Sequence, residues 1–326
     1  MNRQLALEIE KAIELIKKSK TILIASHINP DGDNIGSSLA LALALKSKEH
    51  NIWVLKSDIV PEKFSFLPGI ELIEEYDPKN GEIDLFIALD CGDEDRLGDN
   101  KSLLEVAKNT INIDHHISNT NFADVNIVDD KAAATGELVY YFIKQMNLEI
   151  SKDVATNLYT AISTDTGSFK FESVTGDTHR IIADLLDYNI DKNHINLNLY
   201  ENMSFTQMKL FIKSLATLET FNGAEIGFIK VTQEMLKETG ATFEDAEGII
   251  SFVRKIATVE AACILKELDK ANIKVSLRTK TNLDASKICK AFNGGGHKRA
   301  AGCTIYKTID EAQELVLKEI QKELKV

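Results

Sequence analysis

Residues 21–33 read TILIASHINPDGD, and this stretch decides how the 326-residue chain folds. Thr21–Ser26 is a short apolar, β-branched run, and it stops at His27. Two aspartates, a proline and a glycine follow before a helical pattern spans 34–48. An apolar run of this length ahead of a helix reads as a buried parallel strand. A histidine and two aspartates at i, i+4 and i+6 beyond its end can aim three donors into one crevice. Pro30 and Gly32 predict a tight turn there rather than a helix start. A helix capped by Asp33 would account for one of the three residues and leave His27 and Asp31 unexplained.

Working outward, further strands are expected at 51–56, 84–89, 110–113 and 125–128, with helices at 132–147, 152–164 and 178–188. Strands alternating with helices specify an α/β fold with a doubly wound, mostly parallel sheet, whose ligands collect at the carboxyl ends of the strands. A polar helical stretch occupies 191–215. Beyond it the pattern changes to a hairpin (217–221 and 225–231 around Asn222-Gly223-Ala224), strands at 259–265 and 272–278, and helices at 284–292 and 309–324. The expected organisation is residues 1–190, a connector at 191–215, and a smaller α/β domain at 216–326.

Composition bounds the function. The chain is 44% hydrophobic and 27% charged, as in a soluble globular protein. No apolar run approaches the ~18 residues that a membrane span needs. The first twenty residues read as an amphipathic helix and not as a signal peptide, so a cytoplasmic location is expected. Four scattered cysteines without a CxxC pair read as reduced core thiols, which argues against a zinc site. The net charge of -12 argues against a general binder of long nucleic acid. It is uneven. Residues 216–326 hold 17 Lys and Arg against 16 Asp and Glu, so the part before them carries 21 against 34. An acid-rich part that needs cations, joined to a near-neutral part that could hold an anion, suits a metal-dependent enzyme for small phosphorylated substrates.

Three more clusters resemble the first in chemistry. Asp90 ends the apolar run of IALDCG (87–92), Asp114-His115-His116 ends another (IDHH, 113–116), and Asp165 stands at the end of a helix in ISTDTG (162–167). An aspartate at a helix C-terminus opposes the helix dipole, and a nearby cation would rationalise it. Oxygen and imidazole donors without thiolate point to Mn²⁺, Mg²⁺ or Fe²⁺. Two such ions about 3.5–4 Å apart clamp the attacking and leaving oxygens of a phosphoryl displacement. The last cluster, FNGGGHKRAAG (292–302), offers three consecutive glycines (Gly294, Gly295 and Gly296) whose amides could cradle an anion, followed by His297, Lys298 and Arg299.

The set HINPDGD, ALDCG, IDHH and STDTGSFKF resembles, in order, the four motifs of the DHH phosphoesterases, and FNGGGHKRAAG is similar to the hallmark of their associated C-terminal domain. The resemblance covers nearly the whole chain. It is closest to the stand-alone nanoRNase/pAp phosphatases and the related cyclic di-AMP phosphodiesterases. Family II pyrophosphatases lack the GGGH segment, and RecJ-type exonucleases are longer.

The resemblance implies two divalent metal ions, Mn²⁺ ahead of Mg²⁺ or Fe²⁺. His27 and Asp31 would bind the first, Asp33, His115 and Asp165 the second, and Asp90 both. Asp114 would orient the histidines, and His116 would act at the leaving oxygen. His297, Arg299 and Arg278 would grip the substrate from the second domain, with the site in the cleft between the domains. Asn34 departs from the small residue usual after the DxD and is expected to perturb the helix start slightly. The implied substrates are short RNA or DNA oligonucleotides, pAp or pApA, without membrane attachment, and a homodimer is a candidate assembly. Two other readings stay open: a soluble cyclic di-AMP/pApA phosphodiesterase, and a non-catalytic nucleotide sensor.

Overall fold

The computed structural model describes residues 3–46 and 50–324. The chain divides between Asn202 and Met203 into two compact units, and the division falls inside the 191–215 stretch.

The first unit runs α1 (Arg3–Lys18), β1 (Thr21–Ser26), α2 (Gly32–Leu45), β2 (Asn51–Leu55), β3 (Ile73–Glu74), β4 (Leu85–Leu89), α3 (Lys101–Val106), β5 (Thr110–Asp114), β6 (Val125–Val128), α4 (Thr135–Gln145), α5 (Lys152–Asp165), α6 (Gly176–Leu186) and α7 (Lys192–Tyr200). Its six strands lie in the order β3-β2-β1-β4-β5-β6, and every neighbouring pair is parallel. The inner strands read as unbroken apolar runs because both faces of the sheet are covered. Ile22, Ile24, Leu85 and Ile87 face a core shared with α1, α2, α4 and α5. Leu23, Ala25, Phe86 and Ala88 face a second core closed by Leu104 of α3.

The turn expected around Pro30 and Gly32 is corrected. Gly32 is the first residue of α2, and Asp31 is its N-cap, with Oδ1 accepting from the N–H groups of Asp33 and Asn34 at 3.1 Å each. Pro30, which has no N–H to offer, sits just outside the helix where none is needed. Asn34 does not perturb the helix start either. Its buried carboxamide accepts from Ser26 Oγ (2.6 Å) and donates to the His27 carbonyl (3.2 Å), which ties the end of β1 to α2.

The second unit runs α8 (Phe205–Ala216), β7 (Glu219–Phe221), β8 (Ile226–Val231), α9 (Gln233–Thr239), α10 (Ile249–Arg254), β9 (Ala261–Asp269), β10 (Asn272–Thr279), α11 (Ala285–Lys290), β11 (Gly295–His297), β12 (Ala300–Ile305) and α12 (Ile309–Leu324). Its sheet has the order β11-β12-β10-β9-β8-β7, antiparallel except for β8 beside β9. One face packs Cys263, Val275, Leu277 and Cys303 against α11 and α12. The other packs Ile229, Val231, Ala262 and Ile264 against α8, α9 and α10. All four cysteines are buried and unpaired, as the sequence predicts. No described helix is long and apolar enough to cross a membrane.

Almost the whole of α2 is buried, and it approaches α5 closely at Gly36. A Cβ there would stand 2.6 Å from the Asn157 carbonyl oxygen and 3.0 Å from Ala161 Cβ. Gly36→Ala should therefore lose stability, even though alanine gains about 1 kcal/mol in helix propensity. We expect a net loss of about 2 kcal/mol, or roughly 4–8 °C in Tm. A thermal melt at or above the wild-type Tm would contradict this close approach.

Candidate active site

Three adjacent parallel strands end in the chemistry-bearing residues: β1 in His27, β4 in Asp90, and β5 in Asp114, His115 and His116. The order of connections reverses between β1 and β4, the place where doubly wound sheets open a crevice. Asp31 and Asp33 enter from the start of α2, and Asp165 from the last residue of α5. All the expected metal-ligating residues thus come to one region of the first unit.

The geometry sorts them into neighbouring groups of donor atoms. His27, Asp31 and Asp90 offer donor atoms close enough to hold one ion, and Asp33, His115 and Asp165 offer a second such set. His27 Nε2 lies 3.3 Å from Asp90 Oδ2 and 3.9 Å from Asp31 Oδ2. His115 Nε2 lies 3.4 Å from Asp165 Oδ2, 3.7 Å from Asp90 Oδ1 and 3.9 Å from Asp33 Oδ2. Each oxygen of Asp90 therefore faces a different histidine. Both imidazoles are oriented by carbonyls: Nδ1 of His27 meets the Ile28 oxygen at 2.7 Å, and Nδ1 of His115 meets the Ala132 oxygen at 3.2 Å. A carbonyl only accepts, so Nδ1 carries a proton in each ring and Nε2 is the atom that faces the carboxylates: in the charged ring it donates to them, and in the neutral ring its lone pair is open to a cation.

The electrostatics fit a cation. Burial pushes the Asp33 carboxyl well above its ordinary range, with the charges of Asp90, Asp165 and Asp31 adding to it. Asp165 is raised to about 6, first by burial and then by Asp90 and Asp31, although His115 pulls it down. Burial also opposes ionisation of Asp90, but its hydrogen bond and charge contact with His27, together with the other two histidines, hold it at about 2. A cluster this crowded keeps all its carboxylates ionised only beside added positive charge. The donors are carboxylate oxygen and imidazole nitrogen. Cys91 does not join them: burial pushes its thiol up to about 12, and Sγ points to the Asp93 carbonyl at 3.0 Å. The site residues present thus suit a divalent cation of the Mn²⁺ or Mg²⁺ kind.

His116 adjoins both sets: with Asp90 and His115 it offers a third group of donor atoms close enough to hold an ion, and its Nδ1 lies 3.7 Å from Asp90 Oδ1. Its Nδ1 donates to Asp114 Oδ1 at 2.6 Å, and this bond raises its pKa. Asp114 is fully buried, and its Oδ2 accepts from Asn119 Nδ2 at 2.6 Å. Asn119 Nδ2 also reaches Asn112 Oδ1 at 2.7 Å, and Asn112 donates to the Cys91 carbonyl at 3.1 Å. Sequence reasoning missed this pair of asparagines, which lock the Asp114 carboxylate in place.

It also missed Thr135. The Thr135 N–H donates to Asp33 Oδ2 at 2.6 Å, the Gly136 N–H to Asp33 Oδ1 at 2.9 Å, and Thr135 Oγ1 to Asp90 Oδ1 at 3.0 Å. One residue thereby fixes two of the clustered carboxylates. The only local signal was a threonine at a helix start, which reads as an ordinary cap.

The GGGH segment is not the open nest that three glycines suggested. Gly295, Gly296 and His297 form β11 and pair with Gly302, Ala301 and Ala300 of β12, and Lys298 and Arg299 make the turn. Gly294 is required because a Cβ would collide with the Gly302 carbonyl and the Cys303 side chain. Gly296, at φ +139, would drive one to 2.5 Å from the Ala300 oxygen. Gly295 alone faces open space. Lys298 is exposed, and the Arg299 guanidinium donates to the Leu283 carbonyl at 3.0 Å, pinning the hairpin turn. His297 and Arg278 stand in one cross-strand line through Ala300. Arg278 donates to its neighbour's carbonyl, Leu277, at 3.1 Å.

Comparison with known proteins identifies the family. Residues 21–162 match the family model described as the DHH family, N-terminal domain, and residues 228–326 match the DHHA1 domain. The chain belongs to the DHH family, in the form that carries a DHHA1 domain. It is 32% identical over 323 residues to the bifunctional oligoribonuclease and PAP phosphatase NrnA of Thermus thermophilus, covering 98% of this chain and 94% of that protein. It is 28% identical to the protein of the same name from Bacillus subtilis, over 93% of this chain and 95% of the relative. A crystal structure of an exopolyphosphatase-related protein from Bacteroides fragilis superposes with a TM-score of 0.91 at 29% identity, covering 97% of this chain and 96% of that one.

Thr135→Val keeps the branched shape and the backbone N–H but deletes the hydroxyl on Asp90. We expect Mn²⁺ affinity, read by calorimetry, to fall about tenfold, with Thr135→Ser restoring it. Wild-type affinity in the valine variant would show that the hydroxyl does not position Asp90.

Proposed function

We propose that this chain hydrolyses short oligonucleotides to mononucleotides and pAp to AMP and phosphate, using two divalent cations with Mn²⁺ preferred. The observation that carries the reading is Asp90, whose two oxygens face two separate imidazole–carboxylate sets. The near full-length similarity to proteins named for those two activities supports the choice of substrate.

On this reading His27, Asp31 and Asp90 Oδ2 would hold one cation, and Asp33, His115, Asp165 and Asp90 Oδ1 the other. When bound, the cations supply Lewis-acid polarisation of the phosphoryl oxygens and activation of water. Mixed imidazole and carboxylate donors favour Mn²⁺ over Mg²⁺, which prefers oxygen and keeps its own water. Asp114 holds the Nδ1 proton of His116, so the ring presents Nε2 to the substrate, where it can give a proton to the departing ester oxygen. Asn112 and Asn119 keep Asp114 from turning away. In the second unit, Arg278 and His297 would bind the part of the substrate that does not react. Gly295 on the edge strand β11, where a Cβ would meet nothing, leaves room for the ligand, while Lys298 and Arg299 add positive charge at the turn. Binding energy gained there serves to position the scissile phosphate.

Activity should be clearly higher with Mn²⁺ than with Mg²⁺ and absent in EDTA. Asp90→Ala should lower turnover by several orders of magnitude, because both cations lose a ligand at once. A variant within tenfold of wild type would remove Asp90 from the shared position. A second measurement tests the grip. Arg278→Ala should raise KM for pAp and dinucleotides severalfold while leaving Mn²⁺ content unchanged, and it should affect a chromogenic phosphodiester with no second phosphate much less. Equal losses on both kinds of substrate would make Arg278 structural.

A further inference from the structure

The second unit's sheet has one face that is only half covered. On β10, Ile273, Val275 and Leu277 point into the core beneath α11 and α12, so Lys274, Ser276 and Arg278 point the other way. Cross-strand partners share a face, which arranges that face in rows. Arg278 stands beside Ala262 on β9 and Ala300 on β12, and Ala300 beside His297. Ser276 stands beside Ile264, Gly302 and, through Gly302, Gly295. Lys274 stands beside Lys266 and Thr304. The β9 end of the first two rows lies under α8, α9 and α10. The β10–β12–β11 end is not part of that core, and its side chains are exposed or half-exposed.

What this open strip carries is uniform in sign. None of Lys266, Lys274, Arg278 and His297 belongs to an ion pair among the described residues. Lys266 is half-buried and turns its ammonium toward the Phe243 carbonyl at 3.4 Å. Its pKa is lowered, first by burial and then by the charges of Lys274 and Arg278, although Glu244 and Glu247 counteract this. Lys266 and Lys274 are direct cross-strand partners, so their like charges stand side by side on this face. Between the Arg278 row and the Lys274 row lies a floor of small residues, Gly295, Gly302 and Ser276, on which a flat group can rest against the backbone. The two cationic rows are four residues apart along β10, or about 13 Å. That is too far for both to grip one phosphate group.

We propose that Lys274, Lys266 and Thr304 form a second phosphate subsite, which takes the backbone of a single-stranded oligonucleotide whose nearer phosphate lies at the Arg278–His297 row. The proposal rests on the nucleotide reading above and extends it. The small-residue floor seats the intervening nucleoside, and only a substrate with a further phosphate reaches the lysine row. Chain-length preference is therefore written on this face: pAp uses the first row, and longer oligonucleotides use both.

The test is fluorescence anisotropy of a labelled five-nucleotide RNA on the full chain in EDTA, where hydrolysis is off, with turnover of pAp and of the same RNA measured separately in Mn²⁺. Lys274 is exposed, so Lys274→Glu leaves the core untouched, and Lys274→Arg serves as the rescue. The expected result is at least a tenfold loss of RNA affinity for the glutamate variant, recovered by arginine. The slope of log affinity against log salt should flatten by about 0.7 for each phosphate that the variant no longer neutralises. The loss of turnover should be several times larger on the five-nucleotide RNA than on pAp. Unchanged RNA affinity, or equal losses on both substrates, overturns the subsite while leaving the catalytic reading intact. So does competition by polyglutamate as effective as that by unlabelled RNA, which would make the strip a general polyanion surface. A wild-type protein that neither binds the RNA nor hydrolyses pAp overturns the nucleotide reading and the subsite together.

Discussion

Two carboxylates with almost no exposure, Asp33 and Asp90, lie in one pocket, and the need to stabilise that buried negative charge shapes the first unit around it. An ionised carboxylate is tolerated inside a protein only when its oxygens are hydrogen-bonded or paired. Asp33 meets this with the N–H groups of Thr135 and Gly136 and the hydroxyl of Ser37 at 3.0 Å. The first residues of α4 thus direct their free N–H groups, and the positive end of the helix dipole, at a side chain on α2. Ala134, the local N-cap, has no side-chain cap bond. Asp33 takes that part from 102 positions earlier in the chain. The same constraint explains why α2, α4 and α5 crowd together and why Gly36 cannot carry a side chain. The helices must approach closely enough for Asp33 and Asp165 to reach a common centre.

Charge is divided between the units in a way that the composition registered only coarsely. Residues 216–326 are near neutral in total, yet the cations of the second unit are not spread evenly. Lys230 pairs with Glu219 and Asp310, and Lys213 with Glu238, far from the open sheet face in sequence. The cations on that face form no ion pair among the described residues. A net charge near zero thus conceals a segregated surface. The sequence count pointed to an anion-holding part for a sound reason but could not say where it lay, because that depends on which residues of β9, β10 and β12 share a face.

The parallel sheet, its strand ends and the clustering of histidines and aspartates there were legible from the chain because each depends on local pattern: an apolar run, a following turn, and a titratable residue at the junction. What failed to show locally was anything set by a distant partner. Gly32 looked like a turn residue until Asp31 was seen to satisfy the first free N–H groups of α2. Asn34 looked like a disturbance until Ser26 and His27 were placed beside it. Thr135, Asn112 and Asn119 look ordinary in sequence, and they matter only because Asp90 and Asp114 come within hydrogen-bond reach. The glycine run follows a related rule. Three glycines in a row suggest an exposed, flexible loop, but Gly294 and Gly296 are small because the backbone and side chains of β12 occupy the space that a Cβ would need. Crowding, not openness, selects them.

Strand order, rather than chain order, puts one carboxylate between two histidines. Along the chain, His27 and His115 are far apart and Asp90 belongs to neither motif. In the sheet, β4 lies between β1 and β5. The residue after the end of a middle strand is the one position that both neighbouring strand ends can address. Addressing both demands that the carboxylate turn sideways across the sheet edge. The backbone of Asp90 makes that turn by adopting φ +54, a left-handed conformation that costs a non-glycine residue on the order of 1–3 kcal/mol. Its N–H remains tied to the Ile113 carbonyl at 3.0 Å, so the residue is held by the strand that carries the second histidine. Thr135 then fixes Oδ1 toward His115 while His27 holds Oδ2. The strain, the strand order and the hydroxyl have a common effect: each carboxylate oxygen of Asp90 is committed to one side of the sheet's switch point before any cation arrives.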